Sequence, residues 1–131
     1  MRYRSRLALG LALTLGACAP LGLYRPGDGT APEVLDVVLR EGRVDVSPSL
    51  VARGKVELDI VNQGTLEHGI HVVGPGVDEQ SDELIVPGQH SRLILKLTPG
   101  TYVLTCPDGD HAERGMRTTL SVTDSTGSFR R

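Results

Sequence analysis

Two segments of the chain alternate apolar and polar residues, which is the pattern of a β-strand with one buried face. Residues 55–61 place Val56, Leu58 and Ile60 on one face, and residues 91–97 place three leucines on one face. Pro-Gly pairs close to these segments mark turns. No segment shows the period of a long amphipathic helix. A chain of 131 residues is long enough for one domain, and the pattern predicts an all-β Greek-key sandwich or barrel of about seven or eight strands.

The β-domain is predicted to span residues 33–123. It follows a flexible tether, 18–32, which is rich in Pro and Gly, and it precedes a disordered tail, 124–131. Residues 111–115 are expected to form a single turn. The predicted strands are 34–39, 42–46, 55–61, 70–73, 83–86, 91–97, 101–105 and 118–122.

Residues 1–17 have the features of an export signal. A segment with three arginines precedes the apolar run 7–17, which is too short to span a bilayer. The run ends in Leu15-Gly16-Ala17-Cys18, which resembles the lipobox of bacterial lipoproteins. This resemblance implies a lipid on Cys18, which would anchor the chain to a membrane of the cell envelope on its periplasmic or extracytoplasmic face. The alternative is plain secretion.

The charge of the chain gives no sign of nucleic-acid binding. The formal net charge is −2, and it is −5 without residues 1–17, which hold three of the 14 basic residues and none of the 16 acidic ones. The sequence shows no basic patch with interleaved aromatic residues, and it has no Trp and only one Phe. We therefore expect no nucleic-acid partner.

Three side chains with soft or borderline donor atoms recur every five residues in the stretch YVLTCPDGDHAERGM, namely Cys106, His111 and Met116. Thiolate, imidazole and thioether groups are ligands that copper prefers. The upstream segment NQGTLEHGIHVV offers a second imidazole, from His68 or from His71. Each residue also has a simpler interpretation: a buried thiol, a solvated histidine or a methionine that fills the core.

Together these segments resemble the cupredoxins, a family of small blue-copper proteins. The Cys-x4-His spacing is similar to that of azurin-type loops, the His-x4-Met spacing to that of plastocyanin-type loops, and the combination to sulfocyanins. The resemblance covers most of the β-domain. It implies one type 1 copper ion with His68, Cys106 and His111 as equatorial ligands and Met116 as the axial ligand, and it favours His68 over His71.

The chain departs from the family pattern beside the first histidine. Many cupredoxins have Asn there, whose side chain ties the two ligand loops together, whereas this chain has Gly69. We expect that this tie is absent or replaced, and that Asn62 stabilises the turn. His90 is expected to be a surface turn residue.

The ligand loop also carries three acidic residues, which are either solvated turn residues or a source of negative charge near the metal. In the second case they would lower the reduction potential or steer a basic partner. These residues are Asp108, Asp110 and Glu113.

The resemblance implies a monomeric, membrane-tethered one-electron carrier that exchanges electrons with redox proteins of the cell envelope. An enzyme is not expected, because the sequence shows no catalytic carboxylate pair, no Ser/His/Asp set and no phosphate-binding Gly motif. The alternatives are a copper-storing or copper-delivering lipoprotein, a copper-free interaction module and a zinc site, since Cys and His also bind zinc.

Overall fold

The computed structural model describes residues 31–124. The predicted signal segment, Cys18, and most of the predicted tether and tail lie outside the described residues. Within residues 31–124 no helix is long and apolar enough to cross a membrane. The strands in this range are β1 (Glu33–Arg40), β2 (Arg43–Ser47), β3 (Leu50–Ala52), β4 (Gly54–Asn62), β5 (His71–Gly74), β6 (Val77–Gln80), β7 (His90–Leu97), β8 (Gly100–Thr105) and β9 (Arg117–Thr123).

These strands form two sheets, which confirms the predicted all-β sandwich. The first sheet has the order β2-β1-β4-β7, and the second has the order β3-β9-β8-β5-β6. Both sheets are mixed, because β1 pairs with β4 and β3 pairs with β9 in parallel, whereas the other neighbours are antiparallel. The described part of the chain has nine strands, rather than seven or eight.

The core forms where the inner faces of the two sheets meet. In β4 the alternation predicted from the sequence places Val56, Leu58 and Ile60 in the fully buried set. Burial of one such side chain contributes about 1.5–3 kcal/mol to folding. Within residues 31–124 the only buried side chains that are polar or charged belong to Asn62 and His68. A buried polar side chain requires hydrogen-bond partners. Asn62 and His68 therefore mark the part of the interior that depends on polar contacts as well as on apolar packing.

The sequence pattern was wrong for three short segments. Strands β3 and β6 were not predicted, because β3 has three residues and β6 is a polar strand (Val-Asp-Glu-Gln) at the edge of its sheet. Residues 83–86 were predicted as a strand from their apolar run, but they form only one isolated bridge, between Ile85 and His68. His90 is exposed as expected, although it begins β7 rather than lying in a turn.

Candidate metal centre

The chain leaves β4 at Asn62, whose buried side chain folds the loop that follows. The Oδ1 atom accepts a hydrogen bond from the N–H of Gly64 at 2.8 Å. The Nδ2 atom donates to the carbonyl oxygens of Leu66 at 2.8 Å and Ile85 at 2.6 Å. The bond to Ile85 is buried and the other two are partly buried, and together they give the loop one defined path. Asn62 thus stabilises the turn before His68, as the sequence indicated.

His68 lies at the end of this loop and points into the sandwich. Only 1% of the surface of His68 is exposed to solvent. The N–H of His68 donates to the carbonyl oxygen of Ile85 at 3.2 Å, and the N–H of Ile85 donates to the carbonyl oxygen of His68 at 2.7 Å. This bridge holds the backbone of His68 against the segment that precedes β7.

The second segment of the site connects β8 to β9. The N–H of Cys106 donates to the carbonyl oxygen of Met116 at 3.2 Å, and the N–H of Met116 donates to the carbonyl oxygen of His111 at 3.0 Å. The N–H of Arg114 donates to the carbonyl oxygen of Asp110 at 3.1 Å, so the loop contains hydrogen-bonded turns but no regular helix. These bonds fold His111 back over the strand end that carries Cys106.

Gly115 closes this loop in a place where a side chain would not fit. Its φ angle is +107°, and a Cβ atom added there would lie 2.8 Å from the carbonyl oxygen of Gly42. Only glycine adopts such a conformation readily. The turn between β1 and β2 therefore packs directly against the loop that carries Cys106 and His111.

Three donor atoms from these two segments converge at one end of the sandwich. The Nδ1 atoms of His68 and His111 are 3.3 Å apart, and the sulfur of Cys106 lies 4.0 Å from the first and 3.6 Å from the second. We call His68, Cys106 and His111 the donor cluster. Cys106 is a buried free cysteine, whereas the side chain of His111 is 18% exposed. Met116 is buried and bonded through its backbone to both Cys106 and His111.

Gly69 links the two segments directly. Its backbone N–H donates to the sulfur of Cys106 at 3.4 Å. A Cβ atom at Gly69 would lie 3.1 Å from Oγ of Ser81 and 3.2 Å from the ring of Pro107. The chain therefore has a backbone tie at this position, and the asparagine that the family pattern would place there would require Ser81 or Pro107 to shift.

His71 and His90 do not join the donor cluster. Nε2 of His71 lies 2.6 Å from Oδ1 of Asp78 on the neighbouring strand β6. Nδ1 of His90 lies 3.8 Å from Oδ1 of Asp59. Of the two candidates for the first histidine, it is His68 that the structure brings beside Cys106 and His111.

Glu41 is a residue of this region that the sequence did not reveal. Its Oε1 accepts hydrogen bonds from the N–H groups of Thr65 and Leu66 and lies 3.4 Å from Nε2 of His68. The hydrogen bonds from the backbone, that of Leu66 first, lower the pKa of Glu41 from 4.5 to about 2. Nothing in the local sequence Arg-Glu-Gly-Arg marks this role, because Thr65 lies 24 residues away along the chain.

No model of a known protein family matches this chain, and no curated protein is significantly similar to it in sequence. Solved structures match its fold. A dithionite-reduced auracyanin from Roseiflexus castenholzii aligns over 72% of this chain and 99% of its own, with 18% identity and a TM-score of 0.57. Auracyanin B aligns over 72% of this chain and 92% of its own, with 19% identity and a TM-score of 0.58. Auracyanins are blue copper cupredoxins.

The chain has the cupredoxin fold. The same fold also forms part of larger chains. The Blue Copper Oxidase of Nitrosomonas europaea aligns over 70% of this chain but only 39% of its own, with 22% identity and a TM-score of 0.54. The cupredoxin fold as such therefore occurs in proteins of different activity, and only the residues of the site can indicate a function.

The donor cluster of this cupredoxin fold has the size that a single metal ion requires. Metal bonds of about 2.0 Å to nitrogen and about 2.3 Å to sulfur place the donors of a trigonal site about 3.5 Å (N to N) and about 3.8 Å (N to S) apart. The observed separations are 3.3 Å, 3.6 Å and 4.0 Å. A thiolate and two imidazoles in a plane, with a methionine nearby, are the ligand set of blue-copper sites, so the residues present fit copper.

Proposed function

We propose that this chain is a one-electron carrier with a single type 1 copper ion. His68, Cys106 and His111 would be the equatorial ligands, and Met116 the weak axial ligand. The observation that carries the proposal is the convergence of one cysteine sulfur and two Nδ1 atoms, 3.3–4.0 Å apart, at one end of a cupredoxin fold.

The chain itself supplies a cage that is already formed. When bound, copper would supply one-electron chemistry by alternating between Cu(I) and Cu(II). The backbone pair of His68 with Ile85 and the hydrogen bond from Cys106 to Met116 hold the ligands from both sides. The hydrogen bond from Gly69 orients the sulfur. Because these contacts restrict movement, the ligands would rearrange little between the two oxidation states of a bound copper ion, which would favour rapid electron transfer.

His111 provides the path to the surface. Its side chain is 18% exposed, whereas Cys106 and His68 are each 1% exposed. The edge of this imidazole would therefore pass the electron to a partner that docks on the loop. The pair of Arg114 with Asp110, at 2.7 Å, compensates part of the loop's acidic charge.

A redox protein of the cell envelope with a basic docking surface is the proposed partner. The formal charge of −5 outside residues 1–17 supports this choice, since opposite charges increase the rate of encounter.

We further propose that the chain is a monomer, held at the membrane by a lipid on Cys18. In cells, the wild-type chain should incorporate labelled fatty acid, and the Cys18→Ala variant should not. Equal labelling of both proteins would contradict the anchor.

The electron carrier is favoured over an enzyme. The alignment with the two auracyanins spans nearly all of those chains, whereas the alignment with the Blue Copper Oxidase spans 39% of that one.

Copper titration of the purified apo chain tests the proposed function. One equivalent of Cu(II) should produce an intense visible thiolate-to-copper charge-transfer band, which dithionite bleaches and a mild oxidant restores. Cys106→Ser should bind without this band, while Cys18→Ser should keep it. A chain that binds no copper would refute the proposal. A coloured chain that is inert towards redox partners and exchanges copper rapidly would indicate storage or delivery of the metal instead.

A further inference from the structure

The turn between β1 and β2 places a carboxylate against the first ligand loop. Oε1 of Glu41 accepts from the N–H of Thr65 at 2.5 Å, from Oγ1 of Thr65 at 3.2 Å and from the N–H of Leu66 at 2.9 Å. These contacts fix where the oxygen lies, and the backbone donors lower the pKa of Glu41 to about 2. A glutamate at its ordinary pKa is already ionised at neutral pH.

The same oxygen of Glu41 also lies near Nε2 of the His68 ring. The distance from Oε1 of Glu41 to Nε2 of His68 is 3.4 Å. Nε2 makes no hydrogen bond, and it is the one buried side-chain N or O atom in residues 31–124 without a hydrogen-bond partner. Among these residues, Glu41 is also the only carboxylate within 4.0 Å of the His68 imidazole.

The surroundings of the two ring nitrogens of His68 indicate which of them carries the proton. Nδ1 faces Cys106 and His111, so a lone pair on Nδ1 is what a metal in the donor cluster needs. A neutral imidazole carries one proton, which must then sit on Nε2. A buried N–H without an acceptor is unfavourable. The carboxylate of Glu41, whose Oε1 lies 3.4 Å from Nε2, favours the proton on this nitrogen through its negative charge.

The turn that carries Glu41 also contacts the second ligand loop. A Cβ atom at Gly115 would lie 2.8 Å from the carbonyl oxygen of Gly42, and one at Gly42 would lie 3.2 Å from the carbonyl oxygen of Arg114. One turn therefore touches the segments that deliver His68 and His111. A displacement of this turn would affect both sides of the donor cluster.

We propose that Glu41 is a positioning residue of the site, which holds the proton of His68 on Nε2 and so presents the Nδ1 lone pair to the donor cluster. This inference rests on the proposed function, because it concerns the way in which His68 becomes a metal ligand. The arrangement of carboxylate, histidine and metal is a general way to fix the tautomer and orientation of a ligand.

The test reads the tautomer directly in the apo chain, without any metal. Long-range 1H–15N spectra of the labelled full chain distinguish Nδ1–H from Nε2–H in His68 at a pH where the ring is neutral. We expect the wild-type proton on Nε2. In Glu41→Ala the ratio of Nε2–H to Nδ1–H should fall about tenfold or more. Glu67→Ala removes the same charge from an exposed residue next to His68 and should leave the ratio unchanged.

Glu41→Gln is the conservative variant that keeps Oε1, the atom that makes all the contacts described above. Its ratio should lie between those of the wild type and Glu41→Ala, because a neutral amide oxygen is a weaker acceptor than a carboxylate. If Glu41→Ala does not fold, Glu41→Gln decides: a His68 spectrum identical to that of the wild type would overturn the proposal.

Two further results would also overturn it. One is a wild-type His68 with its proton on Nδ1. The other is a folded Glu41→Ala in which the amide protons of Thr65 and Leu66 exchange faster while the tautomer ratio is unchanged. Glu41 would then only stabilise the loop through its hydrogen bonds to these two amides. In a separate titration with Cu(II), Glu41→Ala should bind about 10- to 100-fold more weakly. If no variant and no wild type binds Cu(II), the proposed function fails, while the tautomer measurement still decides the role of Glu41.

Discussion

The backbone N–H of Gly69 donates a hydrogen bond to the sulfur of Cys106 at 3.4 Å, across 37 residues of sequence. The two residues belong to the two separate segments that build the donor cluster. A backbone donor cannot rotate away as a side chain can, so the direction of the sulfur is determined by the fold itself. The bond also provides the sulfur with a partner in a region that excludes water.

Gly69→Ala should therefore weaken both the fold and the site. The new methyl group would lie 3.1 Å from Oγ of Ser81 and 3.2 Å from the ring of Pro107, and such overpacking costs about 1–3 kcal/mol. Denaturant unfolding of the apo chain measures this loss. The double variant Gly69→Ala with Pro107→Ala should recover part of it. If the double variant is no more stable than Gly69→Ala, the contact with Pro107 is not the cause.

Replacing each histidine in turn separates His68 from His71. His68→Ala should abolish the charge-transfer band, because it removes one of the three donors of the cluster. His71→Ala should keep the band and cost less than about 1 kcal/mol, since its pair with Asp78 is at the surface. Copper titration and denaturant unfolding of the two variants provide the measurements. Loss of the band in His71→Ala alone would reverse the assignment.

Met116→Leu should preserve the fold and the colour but change the reduction potential. Met116 is buried, and an exchange of Met for Leu of similar volume costs less than about 1.5 kcal/mol. Removal of a weak axial thioether leaves the equatorial ligands in place and alters the relative stability of Cu(I) and Cu(II). Potentiometric titration of the copper band measures this change. An unaltered potential would show that Met116 only fills the core.

Asn62→Ala should destabilise the chain much more than a change at its neighbour. The substitution removes the side-chain hydrogen bonds to Leu66, Ile85 and Gly64, and only the carbonyl oxygen of Ile85 keeps a second donor, the N–H of His68. The expected cost is about 3 kcal/mol. Gln63→Ala is the matched control, because Gln63 is exposed and, within residues 31–124, its side chain makes a single hydrogen bond, with Arg40. Similar unfolding midpoints for the two variants would contradict the role assigned to Asn62.

The local sequence predicted the parts of the site that depend on short spacing. Cys106 and His111 are five residues apart on one connection, so any fold that pairs β8 with β9 keeps them close. The choice of His68 over His71 came from the family pattern, because alternation alone allows either residue to face inwards. The convergence of His68 with Cys106 depends on the packing of the sheets, which a single sequence does not reveal.

Contacts between turns were beyond prediction for the same reason. Glu41 follows β1 in a short polar turn, where a glutamate is usually solvated. Its role depends on Thr65 and Leu66, which reach it only after the loop after β4 has folded around Asn62. Strands β3 and β6 were missed because edge strands that are short or polar lack the alternation of core strands.

The acid sensitivity of the apo chain should depend on Glu41. Its pKa lies at about 2 in the folded chain, compared with an ordinary value of 4.5, chiefly because the N–H of Leu66 bonds to the carboxylate. As the pH falls through this interval, the unfolded chain binds the proton first, so the free energy of unfolding decreases. Glu41→Gln should be less stable than the wild type above pH 4.5, and the difference should vanish towards pH 2. Glu79→Gln, an exposed change on β6, should follow the wild-type curve. Parallel curves for the wild type and Glu41→Gln, measured by denaturant unfolding across this range, would mean that the backbone donors do not hold the carboxylate in solution.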